Sequence, residues 1–298
     1  MKTKTRSMKK LMMAIVALFT CGQAMAQYNY SPTGIDDVPV LGWQWGLTGG
    51  GFTAMLPNRD DLSANNRLDP QMMNFSYAAG IEGIKWFQPT VGFGGQALLW
   101  NGGAYYTGYD STQMRKFSAQ TSLSYLRLPF LFHFKSFNRY KPNKRLRLNT
   151  YFGPYVGFLT GSKDKATYEK DKNPFWEING NSVTIPGFNG SYSGNIYATM
   201  ELGFVTGVGF EFRLWKRTVL ALSLRADYGI TDVEDKRAKK FSVTNGGPEV
   251  DANPWKNLYA KYTPATTADK AAGYGVNRPM TKNFSLGGFI ALRKYTQQ

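Results

Sequence analysis

The chain has 298 residues, with 36 Lys and Arg against 20 Asp and Glu, one His, one Cys, 42% hydrophobic and 15% aromatic residues. That apolar content is enough to bury a core, which excludes a disordered chain. A single Cys and a single His exclude a disulfide framework and a Cys- or His-rich metal site.

The first 26 residues carry five cations, Lys2, Lys4, Arg6, Lys9 and Lys10, ahead of an apolar run from Leu11 to Thr20. The run ends at Ala24-Met25-Ala26, a small-residue cleavage pattern, so residues 1–26 read as a secretory signal peptide cut before Gln27. Cys21 leaves with it. Beyond Gln27 the chain nowhere has eighteen consecutive apolar residues, so no transmembrane helix is expected.

The remainder instead keeps a period of two. Eight segments alternate apolar and polar residues: about 42–56, 73–86, 91–102, 120–135, 146–160, 198–214, 218–230 and 282–295. In the fourth, Leu126, Leu128, Phe130, Phe132 and Phe134 share one face, and Tyr125, Arg127, Pro129, Leu131 and His133 the other. A soluble sandwich would hide the apolar face against a second sheet, whereas a membrane barrel would show it to lipid. Connection lengths decide between them. Those at 57–72, 103–119, 161–197 and 231–281 are long, and those at 87–90, 136–145 and 215–217 are short. Strict alternation with an even strand count predicts an all-β fold, an eight-stranded antiparallel up-and-down transmembrane β-barrel. Its short turns would face the periplasm and its long loops the exterior. Residues 27–298 are then one domain in the cell outer membrane, and closure removes the edges eight such strands would expose.

Aromatic residues collect near both ends of the segments, as interfacial anchors do. Trp43, Trp45, Trp86, Phe87, Trp215 and Tyr295 fall at the short-turn end, and Trp100, Tyr105 and Tyr106 at the other, predicting two girdles. The opposite parity fills the lumen. With Phe75, Tyr77, Ala79 and Ile81 outward, Glu82 turns in; with Leu202, Phe204, Val208, Phe210 and Phe212 outward, Glu201 and Glu211 turn in. Leu220, Leu222, Leu224, Ala226 and Tyr228 outward put Arg225 and Asp227 inside. The predicted lumen network is Glu82, Arg127, Glu211, Arg225 and Asp227, with Gln96, Tyr125, Asn149 and Tyr151 as neutral partners. An eight-stranded barrel has room inside only for its own side chains, and charges withheld from water must pair, so a plugged lumen is expected.

These segments resemble a known family, the PorT-like or outer membrane protein β-barrel family of Bacteroidota. The resemblance rests on YLRLPFLFHFK at 125–135, TYFGPYVGFL at 150–159, MELGFVTGVGFEF at 200–212 and LSLRADYGITDV at 222–233. Glu201 stands where that family usually has Asp. The resemblance implies an integral outer-membrane protein without enzymatic activity, and a role in type IX protein secretion after the family's founding member.

Motifs for other chemistry fall short. Gly92-Phe93-Gly94 and Gly207-Val208-Gly209 are fragments of a phosphate cradle inside strands, without the helix such a cradle needs. Glu82 and Glu211 could approach as a carboxylate pair, but Arg127 and Arg225 on the same face favour an ion network. His133 lies near the periplasmic end, away from the outer leaflet where a lipid hydrolase would work. Asp60 and Asp61, and Asp232, Glu234 and Asp235, lack calcium-loop spacing. No metal or cofactor is expected. The turn at 136–147 holds Arg139, Lys141, Lys144, Arg145 and Arg147 with no acid, and Lys85, Lys135, Arg213, Lys216, Arg217, Arg293 and Lys294 extend this into a basic periplasmic rim. The expected partners are membrane lipids, including lipopolysaccharide, and an acidic periplasmic protein docked on that rim. Nucleic acid is not expected, because export and membrane burial account for the same cations. A structural or interaction barrel is the leading function, and a small-solute porin or channel the alternative.

Overall fold

A computed structural model describes residues 41–56, 68–71, 74–109, 116–136, 145–169, 176–179, 182–185, 188–192, 197–215, 217–233, 241–243 and 282–296. The proposed signal peptide with Cys21, and Arg139, Lys141, Lys144, Lys216, Asp60, Asp61, Glu234 and Asp235, lie outside the described residues.

The described strands are β1 (Gly42–Met55), β2 (Leu68–Gln71), β3 (Phe75–Trp86), β4 (Val91–Tyr109), β5 (Lys116–Lys135), β6 (Leu146–Tyr168), β7 (Trp176–Asn179), β8 (Ser182–Ile185), β9 (Phe188–Tyr192), β10 (Met200–Trp215), β11 (Thr218–Gly229), β12 (Phe241–Val243) and β13 (Phe284–Tyr295). Eight of them close on themselves in the order β1–β3–β4–β5–β6–β10–β11–β13, every neighbour antiparallel, with β13 returning to β1. The expected eight-stranded barrel is therefore the fold. Among the described residues no helix is long and apolar enough to cross a membrane, and the crossing is made by strands.

Alternation of burial follows the sequence period. Along β5, Tyr125, Arg127, Pro129, Leu131, His133 and Lys135 are buried, and the residues between them are more open. Along β10, Glu201, Gly203, Val205, Gly209 and Glu211 are buried between exposed Leu202, Phe204, Val208, Phe210 and Phe212. Large apolar side chains on the outer face, such as Phe75 at 78% and Leu47 at 67% exposure, have no protein layer over them. Such an exterior suits hydrocarbon and would drive aggregation in water.

The wall is uneven in height. The segments expected at 91–102, 120–135 and 146–160 continue as strand to Tyr109 in β4, from Lys116 in β5 and to Tyr168 in β6, so parts of the loops expected at 103–119 and 161–197 are sheet. Beyond the seam with β10, which ends at Phe158 opposite Met200, β6 pairs instead with β7, and the sheet continues through β8 and β9 to β12; β2 pairs with the upper part of β4. The inner face of this taller side is a core of Phe52, Trp100, Tyr106, Phe117, Leu123 and Tyr125 with Tyr197, Val233 and Phe289.

Candidate functional site: a charged lumen

Inward parity on β3, β5, β10, β11 and β13 brings charged groups to the axis, and the bulky wall leaves them almost no exposure. They form two levels. In the upper one Arg127 Nη2 donates to Glu201 Oε2 at 2.9 Å and Nη1 to Asp227 Oδ2 at 3.2 Å, while Arg225 Nε donates to Asp227 Oδ1 at 2.7 Å. Tyr155 OH donates to the second Glu201 oxygen at 2.8 Å. Arg127 also stacks on Trp100, 3.6 Å from its ring centroid, which turns an apolar neighbour into a partner for the guanidinium face. In the lower level Arg293 reaches Glu82 Oε1 at 2.5 Å and Glu211 Oε1 at 2.7 Å, and Asn149 Nδ2 donates to Glu211 at 3.2 Å.

Gln96 joins the two. Its amide nitrogen donates to Glu82 at 3.0 Å and its oxygen accepts from Arg225 at 2.8 Å, so a continuous chain of bonds runs from Glu201 to Asn149. Below it, buried Lys135 donates to Tyr295 OH at 3.0 Å with its ammonium 3.6 Å from the Trp86 ring centroid, and Trp86 Nε1 donates to Gln44 at 2.7 Å. Among the described residues at these heights, Arg127, Arg225, Arg293 and Lys135 stand against Glu82, Glu201, Glu211 and Asp227, four cations to four anions, all buried. A desolvated lumen needs that balance, since an unpaired charge in it would cost several kcal/mol.

Glu82, Arg127, Glu211, Arg225 and Asp227, the five residues expected in the lumen, all lie there, with Gln96, Asn149 and Tyr151 among them. Glu201, expected to turn inward but not counted in the network, belongs to it as well, and the member whose direction was missed is Arg293. Counted with the basic rim because it lies near the short-turn end, it shares parity with Phe289 and Ala291 and turns inward, as Lys135 does with His133. Arg293 is the cation that brings Glu82 and Glu211 together, so the possible carboxylate dyad is an ion-paired triad. Four girdle assignments are corrected for the same reason. Trp86, Trp100, Tyr106 and Tyr295 are 1%, 1%, 8% and 4% exposed because each has the inward parity of its strand. Trp43, Trp45 and Trp215, at 42%, 51% and 68%, face outward, and the stacked Trp43–Trp45 pair carries Lys85 5.6 Å above Trp43. His133 is buried between Trp86 and Tyr151. On the rim, Arg145 is exposed and Arg147 half-buried.

Fold and lumen together define the class: a small outer-membrane β-barrel whose interior is filled by its own paired charges. The chain belongs to the outer membrane protein beta-barrel domain family, whose model matches residues 25–235, and its place is the cell outer membrane. No curated protein sequence matches it. Among solved structures it is similar to the outer membrane protein OprG from Pseudomonas aeruginosa, at 9% identity over 87% of this chain and 98% of that one, with a TM-score of 0.40. It is also similar to a major outer membrane protein from Thermus thermophilus, at 13% identity over 84% and 98% with a TM-score of 0.39. The outer membrane protease OmpT from Escherichia coli aligns at 8% identity over 89% and 99%, with a TM-score of 0.31.

Proposed function

We propose that this barrel is a non-enzymatic interaction protein of the outer membrane and not a conduit. The observation that carries this reading is the continuous bond chain from Glu201 to Asn149, which crosses the lumen and ties four carboxylates together through three arginines. A solute path would need this chain opened, at the cost of stranding desolvated charges. Planar-bilayer recording on the folded full-length protein is the test. The expected trace has no unitary steps at either polarity, and regular single-channel openings would replace this reading with that of a small-solute channel.

The resemblance to PorT-like proteins supports a partner in protein secretion, engaged from the periplasmic side through the basic turn that includes Arg139, Lys141, Lys144, Arg145 and Arg147. An acidic partner is the electrostatic complement of a turn without acids. Crosslinking from that turn in intact cells, repeated with Arg139, Lys141 and Lys144 reversed to Glu, should capture a secretion component in the first case and lose it in the second. Equal capture by both would end the docking idea.

A further inference from the structure

On three adjacent strands the outward face changes character at one level. Along β5, Phe134, Phe132, Phe130, Leu128 and Leu126 give way to Ser124, Ser122, Gln120 and Ser118; on β4 exposed Leu99 is followed by Asn101, and on β6 exposed Phe158 by Thr160, Lys163 and Lys165. The switch points are neighbours across the sheet, since Leu99 pairs with Leu126 and Leu126 with Phe158. A register shift between Ser124 and Tyr125 marks the same level. Hydrocarbon must end there, because Ser, Gln and Lys side chains facing lipid tails would be left without partners. The sheet nevertheless continues. From Ser124 to Lys116 is eight residues, about 26 Å along the strand at about 3.3 Å per residue, stiffened by the aromatic core on its inner face.

We infer that the outward face of this extension is a binding surface for the phosphorylated saccharide headgroups of outer-leaflet glycolipid. Its floor is the short polar row Ser118, Gln120, Ser122 and Ser124 of β5; Tyr105 of β4 stands beside Gln120 on one side and Lys165 of β6 beside it on the other. Asn101 already donates to Ser124 at 2.9 Å, fixing the lower end of the row. Continuity names the occupant. This face is the direct prolongation of the acyl-facing wall of β4, β5 and β6, so what meets it is whatever sits on top of the acyl chains. In the outer leaflet that is sugar and phosphate, which hydroxyl and amide groups and a lysine ammonium recognise through hydrogen bonds and charge. Lys163 is engaged by Glu177 at 2.7 Å and Lys116 by Glu169 at 3.2 Å; Lys165 is exposed and stands in register between Gln120 of β5 and Glu177 of β7.

The test uses the full-length protein folded in detergent micelles and titrated with rough-type lipopolysaccharide or, separately, with phosphatidylethanolamine–phosphatidylglycerol. Folding is checked by heat-modifiable mobility on a gel. Gln120→Ala combined with Lys165→Glu should bind lipopolysaccharide about tenfold more weakly, the size expected for losing a charge-assisted hydrogen bond, with phospholipid association unchanged. Lys282→Glu, which alters a cation bonded to Tyr228 outside this face, should bind like the parent. Lys165→Gln alone provides a milder variant where the double one fails to fold. Unchanged lipopolysaccharide affinity in the folded variant, or an equal loss toward both lipids, would overturn the assignment.

Discussion

Removing Arg127 is the sharpest test of the lumen. Arg127→Met keeps much of the side-chain volume but deletes the bonds to Glu201 and Asp227 and the stacking on Trp100. The two acids fare differently. Asp227 retains Arg225 at 2.7 Å, whereas Glu201 is left, among the described residues, with the Tyr155 hydroxyl at 2.8 Å as its bonded partner. Breaking one partner of a buried ion pair costs about 3–5 kcal/mol, roughly a 150- to 5,000-fold change in the folding equilibrium at about 1.4 kcal/mol per tenfold. Adding Glu201→Gln should return much of that loss, since a neutral amide can still accept from Tyr155 without carrying an unpaired charge. The assay is reversible urea unfolding in lipid micelles, followed by tryptophan emission and gel mobility for the parent, both single variants and the double. A cost below about 1 kcal/mol for Arg127→Met, or a double variant less stable than it, would refute the claim that these charges depend on one another.

Other consequences can be read with equally direct measurements. Single-tryptophan variants in bilayers with brominated acyl chains should show strong quenching for Trp43, Trp45 and Trp215 and weak quenching for Trp86 and Trp100, which lie inside. Gly203→Val should destabilise the barrel by about 1–3 kcal/mol through overpacking, because a Cβ there would sit 2.3 Å from the Tyr155 ring and displace the hydroxyl from Glu201; gel-shift midpoints report it. Asp164 lies above the lipid-facing rows, buried and bonded to Tyr197 at 2.8 Å, and burial pushes its carboxyl up to about 7. A raised value means the folded state holds the proton more tightly, so this contribution is full below about pH 4 and lost as pH rises through about 7. Asp164→Asn should flatten the decline in unfolding midpoint across that window.

Most of the barrel was legible because hydrocarbon imposes a rule that reads directly as a period of two in large apolar residues. Where the exterior is polar, that signal fades. Phe117 and Ala119 still alternate inward with Ser118 outward, but the pattern lacks the greasy outer face that defines a membrane strand, so the part of β5 before Gln120 reads as loop. The five short strands among the described residues, β2, β7, β8, β9 and β12, have too few residues to display any period. In the lumen, parity identified Glu82, Arg127, Glu211, Arg225 and Asp227, whereas position along the strand, used in place of parity, placed some residues rightly and others wrongly. Trp86, Trp100, Tyr295, Lys135 and Arg293 all sit at heights where interfacial residues belong, yet each points inward. Height is a statement about the membrane, whereas parity is a statement about the backbone, and the backbone decides.

Arg293 lies on the final strand, and its two carboxylate partners are 211 and 82 residues earlier in the chain. Neither pair can form until the last segment has zipped between the first and the penultimate ones. Until that moment the acids from β3 and β10 remain hydrated, held apart from the cation that will neutralise them. Sealing the cylinder is therefore the same event as drying its axis, and a chain truncated before Arg293 would retain its greasy exterior while lacking the counter-ion on which its interior depends.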